Sequence, residues 1–245
     1  MKNGADINMQ AIIDEFQNWR FEEFPEYATL ADFHLYNDRL ETLTLEKCEK
    51  RLLKCKTILD RLYSIEKDLL SDTEIANFDL LEDFLKTYIE GYEWRFHATC
   101  NSVNFLENIL VNFKSVLIGA TPFHNLKDFT NYLRRLDCIA TKVSEQIDLM
   151  EQAVLHKTTL HRVSVEKVLI QLQECLEKDI EQNMFYLPAK SKFSELPDNE
   201  RNESLLKLFE TAIKKFVKPA LKKLKEFIEN KYLPVSSSMF YGFNF

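Results

Sequence analysis

The chain has 245 residues, 45% hydrophobic and 29% charged, with a net charge of -7. That length can bury a core as one large domain or two small ones. The acidic balance disfavours nucleic acid, whose phosphates need a basic surface. With only 4 Gly and 6 Pro, turn residues are too few for a β-rich fold. An all-α bundle of long amphipathic helices joined by short loops is expected.

Ile12, Ile13, Phe16, Trp19 and Phe24 recur at near-helical spacing, and Pro25 is expected to end that segment. A connecting stretch follows from Glu26 to Leu43. Thr44 is placed to cap a helix whose stripe is Leu45, Cys48, Leu52, Cys55, Leu59, Leu62 and Ile65. Ser71 with Glu74 three residues on reads as a capping box for a helix carrying Phe78, Leu81, Leu85, Tyr88 and Tyr92. Residues 101–117 are apolar without a clear period, and Gly119 to Pro122 breaks the pattern. A strong periodic segment then spans Leu126 to Leu155, and another spans Ser164 to Glu181. Pro188 and Pro197 bracket a predicted loop. A last segment spans Asp198 to Asn230, with a kink or break expected at Pro219, which lacks a donor and clashes with the preceding turn. No linker divides the pattern, so one helical domain over residues 1–245 is the simpler expectation, with 235–245 as a tail.

Chemistry is sparse. The cysteines are Cys48, Cys55, Cys100, Cys138 and Cys175. None forms a CxxC pair, and Cys48 and Cys55 lie about 10 Å apart along a helix, too far for a disulfide. Reduced, mostly buried thiols are expected, which favours a reducing compartment and weakly a cytoplasmic one. The first ten residues show no apolar signal region, and no apolar run approaches the ~20 residues of a membrane span. His34, His97, His124, His156 and His161 include no His-Glu-x-x-His pair. His156 and His161 sit about 140° apart on a helix, a poor shared metal geometry. Adjacent acids such as Asp14-Glu15, Glu22-Glu23 and Glu82-Asp83 point to different sides and read as solvated faces. The lysines from Lys214 to Lys225 read as a solvated face over a core stripe, although a membrane-surface or acidic-partner helix has the same pattern. No residue is assigned a catalytic, cofactor-binding or metal-binding role.

Three stretches carry a resemblance: Pro25-Glu26-Tyr27-Ala28-Thr29 with Tyr36-Asn37-Asp38-Arg39-Leu40, Phe123-His124-Asn125-Leu126-Lys127-Asp128-Phe129 with Leu133-Arg134-Arg135-Leu136, and Val217-Lys218-Pro219-Ala220 with Tyr232-Leu233-Pro234. Gln146 to Met150, Arg162-Val163, Val168 to Leu172, Phe185 to Pro188 and Leu196-Pro197 follow in order. Together they resemble the DUF885 family of helical, metallopeptidase-like proteins. The resemblance places the family's histidine-glutamate zinc motif in its second half, so this chain is similar to the N-terminal half only and no metal ligand carries over. Val154 to His161 departs from the glycine- and proline-containing family pattern. The resemblance implies helices that wall one side of a cleft, with an uncovered helical face for a protein or peptide partner. A truncated or divergent, non-catalytic binding protein is expected. The alternatives are an incomplete fragment of a zinc-dependent metallopeptidase and an unrelated helical adaptor. The aromatic end Met239 to Phe245 is expected to be the stub of a continuation, the alternatives being docking onto the bundle or a short partner motif.

Overall fold

The computed structural model describes residues 4–97 and 103–236. Among these residues helices alternate with short connections and no strand occurs. The chain forms two compact units, Met1–Glu23 with Leu43–Arg95, and Phe24–Thr42 with Phe96–Phe245.

The first unit packs three helices, α1 (Gly4–Glu23), α3 (Leu45–Tyr63) and α4 (Asp72–Gly91). Its core joins Met9, Ile12 and Phe16 to Cys55, Ile58, Leu62, Phe78, Leu81 and Leu85. The α3 stripe is rotated from the expected one: Arg51, Cys55, Ile58 and Leu62 are buried, whereas Leu45 is exposed. Arg51 is tolerated inside because its Nε donates to Glu23 Oε2 at 3.0 Å and its Nη2 to the Glu23 carbonyl at 3.1 Å. One guanidinium thus meets a carboxylate and an orphan carbonyl at the C-terminus of α1. Thr44 caps α3 as expected, accepting from the Lys47 N–H. The Ser71 capping box does not form. Asp6 of α1 reaches across and its Oδ1 accepts from the Ser71 N–H at 2.9 Å, while buried Glu74 accepts from Asn77. A carboxylate from another helix satisfies the donor that the local box would have served.

The second unit is built on α6 (Leu126–Leu155), which has the predicted span. Asn125 caps it through a side-chain oxygen that accepts from the Asp128 N–H. α6 packs against α9 (Glu203–Ala212) and α10 (Lys218–Phe227), and α7 (Arg162–Glu177) packs against α10. Three short helices complete the unit: α2 (Pro25–Leu30), α5 (Ile109–Phe113) and α8 (Leu187–Lys192). Pro25 opens a helix as well as ending one, because its fixed φ and missing N–H suit the first helical position. Pro188 stands in the first turn of α8, one residue after its start, where the sequence pattern suggests a loop.

No break occurs at Pro219. Residues Ile213–Val217 widen into a π-turn immediately before it, and helical structure continues from α9 through α10. The wider turn removes the carbonyl that the proline ring would meet in an α ladder. A second π-turn, Ile228–Tyr232, follows α10, and a third, Lys114–Ala120, follows α5. The expectations for Cys100 and for the aromatic end Met239 to Phe245 lie outside the described residues.

Candidate functional site

The second unit has an unusual interior. Arg135, in mid-α6, is fully buried. Its Nη2 donates to Thr29 Oγ1 at 2.6 Å, to the Pro25 carbonyl at 3.2 Å and to the Tyr36 carbonyl at 3.4 Å. Nε donates to the Arg39 carbonyl at 3.0 Å, and Nη1 reaches Thr121 Oγ1 at 3.5 Å. All five contacts are to neutral oxygens. Burial therefore pulls the guanidinium pKa down to about 10, against the opposing pull of Glu26 and Asp38.

Seven residues along the same face of α6, Lys142 repeats the device. Its Nζ meets Glu26 Oε1 at 2.5 Å and Glu41 Oε2 at 3.7 Å. Glu26 in turn accepts from the Glu41 N–H at 2.8 Å. The two cations lash residues 25–41 to α6 at both ends of that loop. The first two stretches that carry the family resemblance are thus one structural element, brought together by Arg135.

Beside it lies an open cleft of about 450 Å³. One wall is Ile118, Thr121, Pro122 and Phe123; the other is Leu187 and Pro188. Phe123 is held edge-on by Phe129 and Tyr132, at 5.0 and 5.1 Å between ring centres. Tyr132 is itself fixed by donating to the Phe185 carbonyl at 2.9 Å, and burial raises its pKa. Thr121 links the cleft to Arg135 and donates to the Val116 carbonyl at 3.1 Å. Leu187 is 46% exposed and offers apolar surface at the rim.

Ser191, His124 and Glu195 also line the cleft, the residue types of a nucleophilic triad. They are not wired as one. The Ser191 hydroxyl donates to the Pro188 carbonyl, and Glu195 holds Lys192 at 2.9 and 3.1 Å. The structure shows no hydrogen bond from His124 to either.

The remaining histidines have separate partners. His34 faces Asp32 and Asn37, His156 stacks on Phe96 at 4.8 Å, and His161 caps α7 by accepting from the Val163 N–H. Half-buried His97 is not among the cleft residues. Among the described residues, no three His, Cys, Asp or Glu side chains are grouped to hold a metal ion. Cys55, Cys138 and Cys175 are free thiols. The lysine run is dispersed into local contacts: Lys214 with Glu210, Lys222 with Glu226, Lys225 with Glu229, and Lys218 to the Leu176 and Lys178 carbonyls at the end of α7.

Neither the buried Arg135 nor the partly buried Lys142 is singled out by the sequence reading. The available signal was their spacing, since residues 135 and 142 share a face with buried Leu149.

The fold and the cleft define an all-helical protein with an open, apolar-walled groove, and no helix in the described residues is long and apolar enough to cross a membrane. Residues 25–242 match the family described as "Bacterial protein of unknown function (DUF885)". The chain belongs to the DUF885 family, so the resemblance is not a coincidence of bundle patterning. No curated protein sequence matches. Among solved structures, a "putative lipoprotein" from Colwellia psychrerythraea superposes with a TM-score of 0.81 at 14% identity. That superposition covers 96% of this chain and 43% of the other, so the chain spans less than half the length of that protein.

Proposed function

We propose that this DUF885 protein acts by binding, and that the cleft between Phe123 and Leu187 takes an extended polypeptide segment with an apolar side chain. The observation that carries this is the make-up of the walls. Two stretches of the family resemblance, distant in sequence, meet there as an apolar slot of a size that suits a small ligand group. A rigid aromatic cluster supports one wall, and Arg135 fixes its Thr121 edge, so little ordering cost falls on the protein. The cleft's serine and glutamate are engaged elsewhere, with the Pro188 carbonyl and Lys192, which favours binding over hydrolysis.

The test is a degenerate peptide array probed with the purified chain, followed by calorimetry on the hits and mass spectrometry of the same peptides after incubation with zinc. Intact peptides that bind the wild type and not Leu187→Asp support the proposal. Cleaved peptides, no binders at all, or equal binding by the variant overturn it.

A second reading, that the chain is the helical part of a longer zinc-dependent metallopeptidase, is favoured by its spanning 43% of the Colwellia protein. The mass of the native product in its source cells separates the two. A species of about 29 kDa supports the first, and a much larger one the second.

A further inference from the structure

Arg135 stands at one end of a hydrogen-bond chain that leads out of the core to solvent. Its Nη2 donates to Thr29 Oγ1 at 2.6 Å. The Thr29 hydroxyl donates to Asn37 Oδ1 at 2.7 Å. Asn37 Nδ2 lies 3.2 Å from His34 Nδ1, and His34 Nε2 lies 2.8 Å from Asp32 Oδ1.

The directions are set by what precedes each link. A guanidinium only donates, so Thr29 accepts there and passes its single hydrogen on. Asn37 accepts with its oxygen and must donate with its nitrogen. His34 Nδ1 therefore accepts, and its ring hydrogen sits on Nε2, donating to Asp32. Every member hands on one hydrogen bond in the same sense. Asn37 is 2% exposed, so its amide has no water to fall back on, whereas Asp32 is open to solvent.

A second proton on His34 reverses the logic. Nδ1–H then faces the Asn37 Nδ2 hydrogens, donor against donor. Turning the amide over restores both bonds: Oδ1 accepts from the imidazolium, and Nδ2 donates to Thr29. The Thr29 hydrogen is released to the Pro25 carbonyl, already 2.9 Å away. Arg135 keeps its bond to Thr29 throughout.

We propose that His34, Asn37, Thr29 and Arg135 form a proton-sensitive relay, in which protonation of His34 turns the Asn37 amide and redirects the Thr29 hydroxyl inside the core. The proton comes from solvent and stays on His34; no other group gains or loses one. The charged groups facing the relay and its latch are Asp32, Asp38, Arg39 and Glu41 on its own loop, Glu26 on α2, and Arg134, Arg135 and Lys142 on α6. Asp32 holds the imidazolium directly. Asp38 is already shared by Arg39 at 3.5 Å and Arg134 at 3.6 Å. Through Arg135 the relay also touches Thr121 in the cleft wall, but it operates whatever the cleft binds.

The test is nitrogen-15 NMR of the whole chain, following the His34 ring nitrogens and the Asn37 side-chain amide from about pH 8 to about pH 5, the span in which histidine changes charge. The expected result is an Nε2–H tautomer at high pH, and an Asn37 amide shift that tracks the His34 titration with one midpoint. In His34→Gln, a change at a partly exposed position, the Asn37 shift is expected to vanish while the spectrum stays folded. A neutral tautomer with hydrogen on Nδ1, a titrating His34 with an unmoved Asn37, or an Asn37 shift that persists in His34→Gln overturns the relay.

Discussion

The Arg135 guanidinium donates to the Thr29 hydroxyl at 2.6 Å across 106 residues of sequence. That bond joins two segments whose resemblance to the family otherwise has no evident reason. Thr29 accepts from Arg135, Glu26 binds Lys142, and the Arg39 and Tyr36 carbonyls close the fork. Each of these residues has a task in holding the loop from Pro25 to Glu41.

Replacing Arg135 tests how much the loop depends on it. Arg135→Leu leaves the buried Pro25 carbonyl and the partly buried Tyr36 and Arg39 carbonyls without this donor, and is expected to cost roughly 3 kcal/mol. Arg135→Lys cannot span the same oxygens with one ammonium and is expected to recover less than half of that. Urea unfolding monitored by circular dichroism measures both, and a midpoint unchanged in Arg135→Leu contradicts the latch.

Lys142 and Glu26 should behave as a coupled pair. Glu26→Gln leaves the partly buried Lys142 only the more distant Glu41, and Lys142→Met leaves Glu26 only the Glu41 N–H, so a loss of roughly 2 kcal/mol is expected from each. The double variant Glu26→Gln/Lys142→Met removes both charges and is expected to be more stable than the sum of the singles implies. Additive losses in a double-mutant cycle would show that the pair is not coupled.

Lys157 adopts φ 57° at the end of α6. The Lys157 N–H bonds the Val154 carbonyl and the Thr158 N–H bonds the Ala153 carbonyl, the arrangement in which glycine is favoured. Lys157→Gly is expected to raise stability by about 1 kcal/mol by removing the Cβ clash of the left-handed conformation. A decrease in melting temperature would refute that.

The buried thiols make stability depend on pH at the alkaline end. Burial pushes Cys55 up to about 12 and Cys175 up to about 11 from an ordinary 9.0. In the unfolded chain these thiols ionise first, so above pH 9 the folded state binds more protons. Their contribution is full below pH 9 and is lost as pH climbs towards 11 and 12. Cys175→Ala is expected to flatten the fall of stability between about pH 9 and 11. Half-buried Cys48 is expected to react with a disulfide reagent well before Cys55.

Much of the helical architecture was legible in the sequence. The 3.6-residue period placed α6 from Leu126 to Leu155, Thr44 marked the start of α3, and the ordered resemblance pointed to the family. These are local properties: a helix stripe and a cap depend on residues within a few positions. Decisions that needed distant partners were not legible. Asp6 supplanted the local box at Ser71, Arg51 displaced the expected stripe of α3, and a π-turn carried the helix past Pro219. The buried Arg135, the Glu26–Lys142 pair and the cleft between Phe123 and Leu187 belong to the same class. A buried charge is stable only where opposing oxygens converge, and that convergence comes from tertiary packing between segments up to 116 residues apart.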